Sequence, residues 1–162
     1  MNTRAFVENV FRAIWVTADL EALPGFFAKE AQVKGIAPEL ELTPEDMVTL
    51  VNSVRMHLSD LQVEVVTVLE VDDWISALVV CHGSAKANGE PVEISGQTMM
   101  RICNGRVAEA YNHYDALGFF SQVGGLPSNA LECLLGGATL THPTNDKHCA
   151  TNKADTVRTE SA

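Results

Sequence analysis

The chain has no apolar run approaching the roughly 20 residues that cross a bilayer. Residues 1–20 carry Glu8, Arg12 and Asp19 among their apolar positions, so they form neither a span nor the core of a signal peptide. Basic residues are scarce. Eleven Lys and Arg against 21 Asp and Glu give a net charge of -10 and a pI near 4.8. Such a surface repels phosphate backbones and anionic lipid, which excludes nucleic acid and membrane as partners. None of the 4 cysteines stands in a CxxC pair. A chain with an adequate core and no export signal needs no disulfide, so the thiols are expected reduced and the location cytoplasmic. GxGxxG, GxxxxGK[ST], HExxH and GxSxG are all missing, which removes the usual signatures of phosphate-loop, zincin and nucleophile-elbow chemistry. His57, His82, His113, His142 and His148 share no ligand spacing with cysteines or carboxylates, so a metal site is not expected.

What is present is a hydrophobic chain of one domain's size. Its 162 residues are 46% hydrophobic and 20% charged, with mean hydropathy +0.06. That length buries about two-thirds of the unfolded surface. Aliphatic patterning runs to about Leu135, and from Gly136 the chain turns to Thr, Asn, Ala and charge. The expected organisation is a domain over 1–135 and a polar, disordered tail over 136–162, which cannot offset its ordering entropy by burial.

Within the domain the period is first helical, then two. Phe6, Val7, Val10, Phe11, Ile14 and Trp15 form one stripe, with Thr3 placed to cap it. Asp19 can cap a short second helix that Pro24-Gly25 ends. Thr43-Pro44-Glu45-Asp46 starts a third, with Met47, Leu50, Val51, Val54 and Leu58 on its apolar face. After Ser59, Val63, Val65, Thr67, Leu69 and Val71 alternate as a strand. Further strands are expected over Ile75–Ala87, Val92–Ile102 and Arg106–Tyr114, with Asn88-Gly89 and Asn104-Gly105 as hairpin turns. Helices followed by a meander predict an α+β fold: a curved antiparallel sheet with about three N-terminal helices packed on one face. Cys81 and Cys103 fall inside apolar strands, where a thiol packs as a small hydrophobe.

The informative stretch is Arg106–Gly124. Asp115 ends an apolar strand between aromatic residues, where desolvation would raise its pKa and suit it to act as a base toward carbon acids. Period two puts Tyr111 and His113 on its face, able to donate to a developing enolate oxygen, provided that no bulge intervenes. Asp115 reads equally well as the N-cap of a helical turn over Leu117–Gln122.

Trp15 with Asp19-Leu20, and R-x-x-x-G-R-V-A-E-x-Y-x-x-x-D-x-L-G-F-F-S-Q-V-G from Arg101 to Gly124, resemble the SnoaL-like polyketide (ester) cyclases of the nuclear-transport-factor-two-like superfamily. The resemblance spans about residues 3–126. It implies a cone-shaped α+β domain with its helices on the concave face of the sheet, a deep apolar pocket, and a homodimer through the sheet's outer face. It also implies a cofactor-free intramolecular aldol ring closure, with Asp115 as general acid/base, on a hydrophobic carbonyl-bearing small molecule. An aspartate base in an apolar pocket has a precedent in ketosteroid isomerase. Tyr111 stands where the family usually has Trp, and Gln122 and Gly124 match its Gln-x-Gly. Gln97 corresponds to a family Gln, whereas Met99 replaces a family His, and Lys34-Gly35 stand where another His is common. The candidate binding residues are therefore Gln97, His82, Tyr111, His113 and Trp15 around Asp115. Other reactions on the same fold (dehydration, isomerisation, epoxide opening), a non-catalytic binding module and a filled structural domain remain alternatives.

Overall fold

The computed structural model of the protein describes residues 2–37 and 39–136. Apart from Gly136, the tail expected over 136–162 lies outside the described residues. The chain opens with α1 (Thr3–Phe11), which passes into a π-helical turn over Arg12–Val16. A 3₁₀ turn (Leu20–Ala22), the short α2 (Leu23–Phe26) and strand β1 (Phe27–Lys34) follow. Helix α3 (Pro44–His57) leads into a meander of β2 (Leu58–Val71), β3 (Trp74–Ala85), β4 (Pro91–Cys103) and β5 (Arg106–Tyr114). Two further helices, α4 (Ala116–Gln122) and α5 (Ala130–Leu134), end the described chain. Among the described residues no helix is long and apolar enough to cross a membrane.

The sheet order is β1-β5-β4-β3-β2. This is the expected α+β architecture with one correction. The edge pair β1/β5 is parallel, because α3 and the whole meander lie between the two strands and bring the chain back in the same direction. The sequence reading counted four strands in the meander and did not list this edge strand.

The helix starts follow the chemistry of their caps. Asn2, not Thr3, caps α1 by accepting from Ala5 N at 3.1 Å, and the Thr3 hydroxyl instead donates to Glu70. Thr43 and Asp46 form a reciprocal capping box at α3, as expected. Asp19 precedes the 3₁₀ turn without a side-chain cap, and Pro24-Gly25 lie inside α2 instead of ending it. Proline is accommodated there because the first-turn N–H groups have no helical partner.

Bulges curve the sheet. One extra residue in β2 at Asp60 (φ 54°), a second at Val66 and a third in β5 at Ala108 each shift the register against the neighbouring strand. The second corrects the expected alternation of β2. Val63 and Val65 pair with the inward Cys81 and Val79, whereas beyond Val66 it is Val68 that faces inward opposite Ala77, and Thr67, Leu69 and Val71 turn outward. Asn104 and Gly105 both have positive φ, as a type I′ hairpin turn requires. Asn88-Gly89 closes a longer loop, in which Ala85 N donates to Glu90 O across Lys86–Gly89.

The main core sits between the concave face and the helices. Val7, Val33, Val51, Ile75 and Val107 are its largest fully buried members. A smaller cluster of Leu58, Leu61, Ala85, Val92 and Phe119 packs under α4. Replacing Thr43 by Ala removes the hydroxyl that caps α3 but keeps the backbone N–H that donates to Asp46, and is expected to cost about 1 kcal/mol in urea unfolding with an unchanged m-value.

Candidate functional site

The curvature leaves a cavity of about 130 Å³ between the sheet and the helices. Its wall is mostly hydrocarbon, including Val10, Ile14, Met47, Leu50, Val79 and Met100, with Phe119 of α4 at one end. Of the candidate residues, Trp15 belongs to this wall. It sits in the π turn, and the carbonyls that the turn leaves free are taken up by Arg55 of α3, whose Nη1 donates to Trp15 O at 2.7 Å and Val16 O at 3.1 Å. Met47 and Met100 line the cavity, whereas Met56 and Met99 are exposed.

The bulge at Ala108 decides what β5 contributes. Ile102 pairs with Val107, but Arg101 pairs with Glu109. From there the inward side chains are Ala110, Asn112 and Tyr114, opposite Met100, Thr98 and Gly96. The grouping of Tyr111, His113 and Asp115 on one inward face is thereby corrected. Tyr111 lies on the outer face, stacked on Trp74 with ring centroids 6.3 Å apart, and its hydroxyl donates to Glu109 Oε1 at 2.6 Å. That hydrogen bond, followed by one from Arg101, holds the Glu109 carboxyl below the usual range, and the same bond raises the Tyr111 phenol. His113 is an exposed residue at the cavity's border, paired with Gln97 and close to Gly35.

Gln97 and His82 also direct their side chains outward. Gln97 borders the cavity, but its Nε2 lies 3.4 Å from Ser76 Oγ on the outer face. His82 stands between Glu64 (3.9 Å) and Glu93 (3.5 Å) from the two neighbouring strands. Met99 shares the outer face with Gln97, so the inward polar residue of β4 at this level is Thr98. Among the described residues no group of three His, Cys, Asp or Glu side chains is placed to hold a metal ion.

Asp115 is exposed at the N-cap of α4, immediately after the cavity residue Tyr114, and is not itself part of the wall. Its Oδ1 accepts from Gly118 N at 2.8 Å, and its own N–H donates to Ser95 O at 3.1 Å. Gly118 is needed for this packing, since a Cβ there would fall 2.1 Å from Asp115 Oδ2. Gln122 anchors the other end of α4. Its amide accepts from Glu93 N and donates to Glu93 O, both at 2.9 Å, pairing with β4 beyond the last β4–β5 pair, Gly96–Tyr114.

Sequence reasoning did not single out Thr98, Asn112 or Tyr114, which line the cavity together with Ser95, Gln97 and His113. Thr98 is the one buried polar residue among those described, at 2% exposure, and it pairs in register with Asn112. Burial raises the Tyr114 phenol. Gly96 makes room for Tyr114, since a Cβ at Gly96 would lie 3.2 Å from that residue's own. The contrast between charged Glu109 and small Ala110 was the available signal for the correct face.

The family model described as SnoaL-like polyketide cyclase matches residues 5–123. No curated protein sequence matches the chain. Among solved structures, IdmH of Streptomyces antibioticus, a proposed polyketide cyclase, superposes with TM-score 0.68 at 18% identity, over 76% of this chain and 99% of its own. AclR of Streptomyces galilaeus, a proposed hydroxylase, gives 0.65 at 20% identity, covering 77% and 97%. A Catenulispora acidiphila protein of ketosteroid isomerase-like fold, in complex with trimethylamine, gives 0.65 at 19%, covering 79% and 98%.

The cavity separates the cysteines by reactivity. Cys81 lines it, and burial pushes its thiol from 9.0 up to about 11, whereas Cys103, expected as a packed hydrophobe, is exposed at the end of β4. At pH 8 the shift leaves Cys81 about a hundredfold less thiolate, so iodoacetamide should label the exposed Cys103 and Cys133 before Cys81 by peptide mass mapping. A thiol pKa raised by folding adds stability that is full below 9.0 and lost as pH rises through about 11, so unfolding midpoints should fall across that window.

Proposed function

Since the chain belongs to the SnoaL-like polyketide cyclase family, we propose that it is a cofactor-free enzyme of the cytoplasm that closes a ring in an apolar, carbonyl-bearing small molecule. Asp115 is the general acid/base of this reading. Its carboxylate removes the acidic proton between two carbonyls of the substrate, and the resulting enolate carbon attacks a third carbonyl of the same molecule. The carboxylic acid then returns the proton to the new alkoxide oxygen. The observation that carries the proposal is an apolar cavity whose polar side chains lie on β4 and β5, with the motif aspartate one residue beyond Tyr114 at its border. Hydrogen bonding to Gly118 N fixes the carboxylate's direction before substrate arrives.

A second reading rests on the cap itself. An exposed Asp115 committed to α4 fits a binding module that holds a hydrophobic metabolite unchanged. Dehydration, isomerisation or epoxide opening by the same carboxylate stays within the first reading's class.

Asp115→Asn separates the two, because Asn caps helices as well as Asp does but cannot act as a base. With 1,3-dicarbonyl compounds in deuterated buffer, the wild type should accelerate exchange at the acidic carbon, and Asp115→Asn should lose at least about a hundredfold of that rate with an unchanged melting temperature. Gly118→Ala should lose activity too, by displacing the carboxylate. Equal exchange by wild type and Asp115→Asn would leave only the binding module.

A homodimer through the outer face is part of the same proposal. Leu69, Val71, Leu78 and Met99 are exposed large apolar residues of that face, at 62%, 68%, 42% and 42%, and a contiguous patch of this kind favours association. In sedimentation the wild type should run as a dimer and Leu78→Glu as a monomer.

A further inference from the structure

We infer that Thr98 and Asn112 anchor one neutral carbonyl oxygen of the ligand. This deepens the preceding reading by naming the class of molecule, and it rests on that reading only in taking the cavity to be a ligand site. The two residues are directly paired on β4 and β5 and face the same cavity. Side chains so paired have Cβ atoms about 4.5–5.5 Å apart, close enough for both to reach one acceptor. A hydroxyl and an amide can each supply a donor, and an oxygen with two lone pairs takes both.

Neither side chain makes a side-chain hydrogen bond among the described residues, yet no fully sealed polar side-chain atom there lacks a partner. Their polar atoms therefore open onto the cavity. Packing alone would favour Val and Leu at these positions, since polar groups in a hydrocarbon wall cost stability unless something hydrogen-bonds to them. The wall contains no Lys, Arg, Asp or Glu, and His113 at its border is exposed and paired with the outward Gln97, so no charged side chain faces Thr98 and Asn112. The ligand group at this point is thus uncharged and an acceptor.

Length follows from the strand. Asp115 lies three positions after Asn112, just beyond the end of β5, about 10 Å away at the rise of a strand. A molecule held at Asn112 and reacting at Asp115 therefore carries its anchored carbonyl within about 10 Å of its acidic carbon. The class is a compact, mostly hydrocarbon bicyclic or linear carbonyl compound with oxygen functions at both ends.

The test uses 1-tetralone and tetralin, which share a skeleton and differ by one carbonyl, in ligand-observed NMR titrations of the full chain. The wild type should bind tetralone, and its preference for tetralone over tetralin should fall about tenfold in Thr98→Val and in Asn112→Leu. Thr98→Ser, which keeps the hydroxyl, should keep the preference. Tetralin binding by a variant certifies an intact cavity, and the ratio is read on each variant that passes. An unchanged ratio in those variants overturns the anchor, as does a wild type that fails to bind tetralone. Asp115→Asn should leave the ratio untouched while abolishing exchange, so loss of the anchor and loss of the acid/base reading give different results.

Discussion

One inserted residue, Ala108, governs the chemistry of the cone. Before it, Val107 points into the core with no exposure, and after it the inward places go to Ala110, Asn112 and Tyr114. Without the insertion, Glu109 would stand opposite the buried Met100 and Ala110 would face water. Burying an unpaired carboxylate costs far more than the bulge does. The outer network of Arg101, Glu109 and Tyr111, with the Lys34–Glu41 pair beside it, is a consequence of this register and not its cause. Solvent-exposed ion pairs of that kind contribute at most about 1 kcal/mol each.

The bulges in β2 extend the same logic to shape. Strands that bend at Asp60, Val66 and Ala108 cannot lie flat against helices α1 and α3, so the concave wall stands off from them in the middle. At the narrow end Phe119 fills the gap, with the ring of His57 edge-on at 6.2 Å. Gln122 then extends β4 pairing where β5 has stopped, which fixes α4 and with it the Asp115–Gly118 turn. A helix cap and a positioned carboxylate are compatible roles for Asp115, because one oxygen accepts from the backbone and the other remains available.

The sequence was most legible where one residue type has one conformational reason. The Thr43 capping box and the Asn104-Gly105 turn, with φ of 51° and 73°, are of this kind. So was the family motif, because Gln122, Gly118 and Asp115 each serve a local contact that few other residues could make. Strand β1 was less legible. Its run Phe27-Ala-Lys-Glu-Ala-Gln-Val-Lys34 mixes charge with small residues, as a strand paired on one side can. Side-chain direction was the least legible, since a bulge leaves no composition signature and inverts every later residue. Tyr111 and His113 were therefore assigned inward and Thr98, Asn112 and Tyr114 overlooked, although period two was right on each side of the insertion.

The cavity wall and the core are the same residues. Val10, Ile14, Met47, Val79 and Met100 belong to the buried cluster and also line the empty space. An apolar ligand entering there supplies contacts that the curvature denies these side chains, so binding and folding draw on one hydrophobic surface. Affinity for hydrocarbon then comes with the fold and selects little, because a single methylene changes it only modestly. Discrimination falls to the few polar groups that the bulge turns inward, since a group left unpaired inside such a wall is costly. Which polar groups face the cavity is accordingly decided by register first and by residue identity second.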